Sequence, residues 1–290
     1  MKKFAIHTIT LLLGMLLIMM ALDFTYTKIY ETSPPRTKFQ LFRSMKNKHL
    51  DYAFLGSSRV DNDINPMIIE KETGKKGLNL GFQASKLNDI YTILQLFKSY
   101  NIESDKIYIQ VDYIYNIDGF SNILAYELIP FIRDNNIVKT HLIEQNQALY
   151  YIPFYRYCVN DYKVGIREIA LNLLHKKTSV IKNNGYSPVY GYPNNKQYTL
   201  PDTIVKENKT FNRIQIYCKK NKINVVFFCS PFSKTTQNIG YITKLKSKIP
   251  ALRDYSTLIK NDSLFLNSSH LNDAGATFFS HFLSNDIGLK

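Results

Sequence analysis

Residues 54–60 read FLGSSRV, and this short segment decides how we interpret the fold. Several hydrolase folds present a nucleophilic serine where an apolar strand runs into a turn such as Gly-Ser-Ser. Near the other end of the chain, residues 267–272 read NSSHLN and precede an amphipathic helical pattern. The histidine of that segment, His270, is the kind of base that a serine nucleophile needs. The two segments together suggest an active site.

Strand and helix patterns alternate around these two segments. The predicted strands cover 50–56, 77–80, 106–111 and 224–229, and the predicted helices begin at Asn65-Pro66 and cover 87–97, 204–218, 241–248 and the residues after His270. This alternation predicts an α/β fold with a doubly wound parallel sheet. In such sheets the carboxyl ends of the strands carry the chemistry, which is where Ser58 falls.

The chain of 290 residues has the length of one α/β domain with an insertion. We predict a membrane anchor over residues 1–23, a stalk over 24–48 and a folded domain over 49–290. The regular pattern loosens between about 113 and 202, which we interpret as an insertion over the sheet. The insertion contains tyrosines that could stack on sugar rings or simply pack, namely Tyr150, Tyr151, Tyr155 and Tyr157.

The N-terminus has the pattern of a membrane segment. Lys2 and Lys3 precede residues 4–22, an apolar run long enough to cross a hydrocarbon core of about 30 Å. The alternative is a signal peptide, but the run exceeds the usual apolar region of about 7–15 residues, which favours an uncleaved anchor. The lysines predict a cytoplasmic N-terminus and a domain outside the cytoplasm, in the periplasm or at the cell surface.

Composition narrows the classes of partner. The formal net charge is +14, yet lysines and arginines never form a run of five or more, which argues against nucleic-acid binding. A basic surface would suit an anionic polysaccharide or an anionic membrane face. The three cysteines have no metal-ligand spacing, and the chain has neither a dinucleotide glycine fingerprint nor a phosphate loop. We therefore expect neither a metal nor a cofactor.

Three motifs in order resemble the SGNH (GDSL-type) hydrolases. They are Gly-Ser-Ser at 56–58, Asn-Leu-Gly at 79–81, and SHLN followed two residues later by GA at 269–276. The likeness is greatest to the membrane-anchored branch of that family, which includes acyl- and acetyl-transfer proteins of cell-envelope polysaccharides. It covers roughly residues 49–112 and 203–286, and it implies the flavodoxin-like SGNH architecture.

The resemblance implies roles for individual residues. Ser58 takes the place of the nucleophile, His270 that of the base, and the backbone N–H of Ser58 that of an oxyanion donor. The family has aspartate three residues before the histidine, where this chain has Asn267. Asparagine can still accept from an imidazole N–H through its carbonyl oxygen. Ala84 stands at the second-block glycine, and Asn116 is a candidate for the third-block asparagine, whose Gly-x-Asn-Asp motif is not evident.

The expected function is that of a membrane-anchored serine esterase or O-acyltransferase. Its substrates would be acyl, foremost acetyl, esters of an extracytoplasmic polysaccharide, and its partners an envelope polysaccharide or an acyl-donor membrane protein. The alternative is a catalytically inactive scaffold that binds glycan or an envelope protein. A lipid-active esterase is allowed by the anchor but has no acyl-groove motif. The sequence does not distinguish hydrolysis from acyl transfer.

Overall fold

Five parallel strands form the central sheet in the computed structural model, which describes residues 1–193 and 197–286. The strands are β1 (His49–Gly56), β2 (Gly77–Gly81), β3 (Glu103–Gln110), β4 (Val225–Cys229) and β5 (Arg253–Asp254), and they lie in the order β2-β1-β3-β4-β5. This is a doubly wound order. The four predicted strands are confirmed, whereas β5 has only two residues and carries no periodic pattern.

The described residues also form helices. They are α1 (Lys2–Thr32), α2 (Lys38–Arg43), α3 (Ser58–Asp61), α4 (Pro66–Thr73), α5 (Leu87–Ser99), α6 (Asn122–Leu128), α7 (Asn136–Ile143), α8 (Ala148–Tyr151), α9 (Tyr155–Cys158), α10 (Asp161–Val164), α11 (Ile166–Leu173), α12 (Ser179–Lys182), α13 (Lys209–Lys220), α14 (Tyr241–Lys248) and α15 (Asp273–Asp286). Short 3₁₀ turns cover Tyr113–Asn116, Ile129–Phe131 and Asp262–Leu264. A two-stranded hairpin, β6 (Phe265–Asn267) and β7 (His270–Leu271), precedes α15.

The alternation of side chains along β1 explains why helices cover both faces of the sheet. Phe54 lies in a core cluster with residues of α4 and α15, including Ile69 and Phe279. On the other face α5 and α13 pack together, and Phe211 of α13 meets Phe227 of β4 with ring centroids 5.0 Å apart. Successive strand residues point to opposite faces, so an apolar run buries both. The predicted α/β fold is confirmed.

The chain divides into two compact units. One unit contains residues 1–36 and 125–177, and the other contains residues 37–124 and those from 178 onward. The sheet and both segments singled out in the sequence belong to the second unit, which we call the α/β unit. We call the first the helical unit. The predicted insertion, 113–202, is therefore divided between the two units, because its two flanks pack with the sheet.

The first helix continues past the predicted end of the anchor. Among the described residues, α1 is long and apolar enough to cross a membrane. Asp23 would be expected to end a span, but it is buried and pairs with Arg156 (3.1 Å) and with Arg133. The helix can continue past Asp23 because this buried carboxylate is paired with arginines of the helical unit. Tyr157 also packs there, 5.1 Å from Tyr26 between ring centroids.

Residues 24–48 are structured rather than an irregular stalk. The last turns of α1 lie in the helical unit, and α2 lies in the α/β unit. The Thr37 side chain caps α2, and Phe39 and Phe42 are fully buried. The many lysines and arginines of this segment suggested a stalk, yet Phe39 and Phe42 pack in the core. The boundary of the folded domain thus differs from the predicted residue 49.

Candidate active site

Ser58 and His270 meet at the carboxyl end of β1. The strand ends at Gly56, α3 begins at Ser58, and Ser58 Oγ lies 2.8 Å from His270 Nε2. A base must lie about 2.6–3.2 Å from the proton that it accepts, so this contact has the geometry of a nucleophile and its base. A Cβ on Gly56 would lie 2.7 Å from Gln110 Oε1, which explains the glycine at this turn.

Asn267 orients the imidazole from the opposite side. Its Oδ1 accepts hydrogen bonds from the backbone N–H of Ser269 (2.9 Å) and of His270 (3.0 Å), which decides that the oxygen, not the nitrogen, faces the hairpin. The same oxygen lies 3.2 Å from His270 Nδ1. An amide oxygen only accepts, so a hydrogen bond to Asn267 requires the proton on Nδ1 and leaves the Nε2 lone pair facing Ser58. The Ser269 hydroxyl, which can donate or accept, lies 3.1 Å from the same Nδ1.

Arg59 lies beneath the pair and is fully buried. One terminal nitrogen donates to the carbonyl of Ser269 (2.9 Å), and the other donates to the carbonyls of Ser230 (2.6 Å) and Pro231 (3.0 Å). The planar guanidinium satisfies three carbonyls at once, which a lysine could not do in this geometry. Arg59 thus ties the turn that holds Ser58 to the hairpin that holds His270.

Two polar side chains at the end of β3 complete this buried layer. Gln110 Oε1 accepts from the backbone N–H of Ser57 (2.8 Å), and Gln110 Nε2 donates to Asp112 (2.5 Å). Asp112 forms an ion pair with Arg59 Nε at 2.9 Å. Burial raises the pKa of the Asp112 carboxyl, while the Arg59 guanidinium and neighbouring N–H donors oppose that shift. This carboxylate holds Arg59 in place rather than contacting the histidine.

Asp63 is a buried carboxyl that supports the hairpin. Its Oδ1 accepts from the backbone N–H of Leu271 (3.1 Å), and its Oδ2 has no hydrogen-bond partner among the described residues. Burial raises the pKa of Asp63 to about 8, although the nearby Arg59 opposes the shift. The protonated form is therefore favoured in the folded protein near neutral pH.

The raised pKa of Asp63 predicts a stability that falls with rising pH. Between the unfolded pKa of about 3.9 and the folded pKa of about 8, the folded state binds the extra proton, so the free energy of unfolding decreases as pH rises. Asp63→Asn removes this dependence, so the free energy of unfolding of the variant minus that of the wild type should be about 4 kcal/mol larger at pH 8.5 than at pH 5. Urea unfolding at both pH values measures the difference. Parallel pH profiles for the two proteins would contradict the assignment.

The three oxyanion candidates have different surroundings. Ser58 is the first residue of α3, so its backbone N–H has no intrahelical acceptor. Ala84 lies on an exposed turn after β2 with φ of 57°, the left-handed conformation that glycine adopts most easily. Asn116 donates to Thr203 O (2.6 Å) and accepts from Val205 N–H (3.1 Å). Its amide is thus used to hold residues 203–205.

The sequence singled out Ser58 and His270, whose side chains lie 2.8 Å apart, but did not indicate the buried layer beneath them. Arg59 follows directly after Ser58, and Gln110 and Asp112 stand at the end of a predicted strand, where a parallel sheet places its chemistry. That position was the available signal for Asp112. Arg59 had none, because a lone arginine after a serine looks like a surface residue. Among the described residues, no three His, Cys, Asp or Glu side chains are grouped to hold a metal ion.

Comparison with known proteins adds a weak likeness to a solved structure. No protein-family model and no curated protein matches the chain. Among solved structures, the chain is similar to a protein from Desulfitobacterium hafniense DCB-2 that is described as lipolytic and of the G-D-S-L family. The identity is 10% and the TM-score 0.30, with 81% of this chain and 98% of that chain covered. These values are too low to transfer an activity to this chain.

Proposed function

We propose that the protein is a serine esterase or O-acyltransferase that acts on acyl, foremost acetyl, esters of an extracytoplasmic polysaccharide, held at a membrane by α1. The observation that carries the proposal is the arrangement around His270. Its Nε2 lies 2.8 Å from Ser58 Oγ while its Nδ1 faces Asn267 Oδ1 at 3.2 Å. This is the order of nucleophile, base and orienting group that acyl transfer requires.

The reaction follows from these contacts. Ser58 Oγ attacks the ester carbonyl as its proton passes to His270 Nε2, and the N–H of Ser58, with that of Ala84, stabilises the oxyanion. The C–O bond to the sugar then breaks, and the sugar oxygen takes the proton from Nε2. A water or a second sugar hydroxyl gives its proton to Nε2 and attacks the acyl-enzyme, and the bond from the acyl carbon to Ser58 Oγ then breaks as Oγ takes the proton back from Nε2. Water yields free acid, whereas a sugar hydroxyl yields a transferred acyl group.

A carbohydrate substrate is supported by the segment beside the histidine. The carbonyl of Val189 accepts from the backbone N–H of Asp273 (2.8 Å), and that of Gly191 accepts from Asn272 Nδ2 (3.2 Å). Tyr190 and Tyr192 on this segment are exposed. Exposed aromatic faces with polar edges suit sugar rings. The net charge of +14 suits an anionic polymer.

Asn267→Asp tests whether the pair is a working one. A carboxylate would stabilise the imidazolium that forms when His270 takes the serine proton, so we expect kcat/KM to rise about 10- to 10³-fold, below the roughly 10⁴-fold loss known for the reverse change in a serine protease. The backbone bonds to Oδ1 persist, so the hairpin should keep its shape. The measurement is hydrolysis of a small aryl acetate by the full chain in detergent.

Asn261→Asp is the matched control for this test. Asn261 Oδ1 accepts from the backbone N–H of Ser263 (3.0 Å) and from its hydroxyl (2.9 Å), the same turn that Asn267 makes with Ser269. No histidine ring contacts it in the described structure, so the same change of charge should leave turnover unaltered. Equal rates for wild type, Asn267→Asp and Asn261→Asp would argue against catalysis by His270.

The alternative is a catalytically inactive scaffold that binds glycan or an envelope protein. The use of the Asn116 amide to hold residues 203–205 favours it, since this leaves the oxyanion with backbone donors. On that alternative the exposed tyrosines would still bind sugar, but Ser58 would not react. Release of acetate from an O-acetylated anionic polysaccharide, measured with the full chain, separates the two functions.

A further inference from the structure

We infer that the turn 151–154 of the helical unit lies in the headgroup region of the bilayer that α1 crosses. The helical unit would then contact the membrane through this turn as well as through α1. The inference concerns the helical unit alone and holds for either proposed function. Its premise is that residues 4–22 of α1 span the membrane, for which their length and apolar character are the evidence.

Asp23 sets the level of the turn along α1. It is the first residue after the apolar run, and its Oδ1 accepts from the backbone N–H of Phe154 (3.1 Å). The Phe154 ring also meets Tyr26 edge-on, with centroids 5.0 Å apart. Because these contacts are one turn or less from the end of the span, the turn 151–154 is held where hydrocarbon gives way to headgroups.

The exposed side chains of the turn have the chemistry of that region. Tyr151 is 66% exposed and Ile152 is 44% exposed, and Phe24 on the neighbouring turn of α1 is 70% exposed. Tyrosine is enriched at membrane interfaces, because its ring is apolar and its hydroxyl is polar. Basic side chains accompany them: Lys139 Nζ lies 3.9 Å from the Tyr150 ring centroid, and Arg133 pairs with Asp23 while staying partly exposed. Such cations suit anionic lipid headgroups.

The same unit contains an internal reference far from the bilayer. From Asp23 to the end of α1 at Thr32 the helix rises about 14 Å at 1.5 Å per residue. Beyond it, Arg36 pairs with Glu168 at 3.1 Å and donates to the carbonyl of Lys176. Leu174, which is 75% exposed, lies two residues from that carbonyl. An apolar, exposed residue thus exists at the opposite end of the unit, outside the headgroup layer.

The chain has no tryptophan, so single tryptophan substitutions report on depth without background. The full chain is reconstituted in vesicles of phosphatidylcholine and phosphatidylglycerol, with and without lipids brominated near the headgroup end of the acyl chain. Tyr151→Trp should lose about half of its emission to the bromines and shift to the blue, whereas Leu174→Trp should change little. Leu16→Trp, within the apolar run, should be quenched by lipids brominated near the chain terminus.

Three outcomes would overturn the inference. One is equal quenching by brominated lipids of Trp at positions 151 and 174. Another is equal quenching of both by iodide added to the aqueous phase. The third is a Leu16→Trp protein that no brominated lipid quenches, since α1 would then not be in the bilayer. Replacement of an exposed side chain by tryptophan should not disturb the fold, and unchanged circular dichroism verifies this for each variant.

Discussion

Ser58→Ala should abolish labelling by a fluorophosphonate probe and lower kcat/KM on an aryl acetate by at least about 10³-fold. The reason is that the Ser58 hydroxyl faces Nε2 of the imidazole, with Ser58 Oγ 2.8 Å from His270 Nε2. In the probe reaction this oxygen displaces fluoride from phosphorus, and His270 takes the serine proton. Labelling of the full chain in detergent, followed by mass spectrometry of the modified peptide, measures the effect at the residue itself.

The neighbouring serine is the control. The Ser57 hydroxyl lies 2.9 Å from Gln110 Oε1 and accepts from the backbone N–H of Arg59 (3.3 Å), so it caps α3 instead of facing the histidine. Ser57→Ala should lower the free energy of unfolding by about 1 kcal/mol, and the fluorophosphonate should still label Ser58 in this variant. If the probe labelled Ser57, or if Ser58→Ala kept its rate, the proposed nucleophile would be wrong. If no serine of the wild type were labelled, the scaffold function would be favoured.

Arg59→Met should lower the free energy of unfolding by about 3–5 kcal/mol, because it leaves the buried carboxylate of Asp112 without its counter-charge. It also removes the donor from the carbonyls of Ser230, Pro231 and Ser269, which are buried with it. Urea unfolding measures the loss. Arg59→Met combined with Asp112→Leu should recover part of it, because an apolar pair of similar volume is often no worse than a buried ion pair.

A second readout separates positioning from stability. Arg59 is bonded to the hairpin next to His270, so the folded fraction of Arg59→Met should also lose kcat with little change in KM. Arg156→Met is the matched control, since Arg156 is equally buried and pairs with Asp23 in the helical unit. It should lose stability but retain kcat. Equal kcat for the two variants would reduce Arg59 to a structural residue.

The sequence indicated Ser58 and His270 because their signals are local. A strand that runs into Gly-Ser-Ser, and a histidine three residues before a helix, are each visible within about ten residues. Their separation of 212 residues was bridged by the rule that parallel strands bring their carboxyl ends to one edge. The predicted placement of Ser58 beside His270 therefore needed only the order of elements.

The buried layer and the unit boundary were not predictable in this way. Arg59 and Asp112 are separated by 53 positions, and Asp23 by 133 from Arg156, and nothing in their neighbours distinguishes them from surface charges. A charge is buried only where a partner compensates its desolvation, so its burial depends on which distant segment arrives beside it.

The sequence by itself determined the α/β class, the apolar helix at the N-terminus and the candidate nucleophile with its base. These follow from the periodicity of apolar residues and from turn chemistry, both of which are properties of short stretches of chain. The tertiary structure decided that Asn267 presents its oxygen to the ring, that Arg59 supports the pair, and that residues 24–36 belong with 125–177. Each of these depends on contacts between distant segments, which only the folded chain brings together.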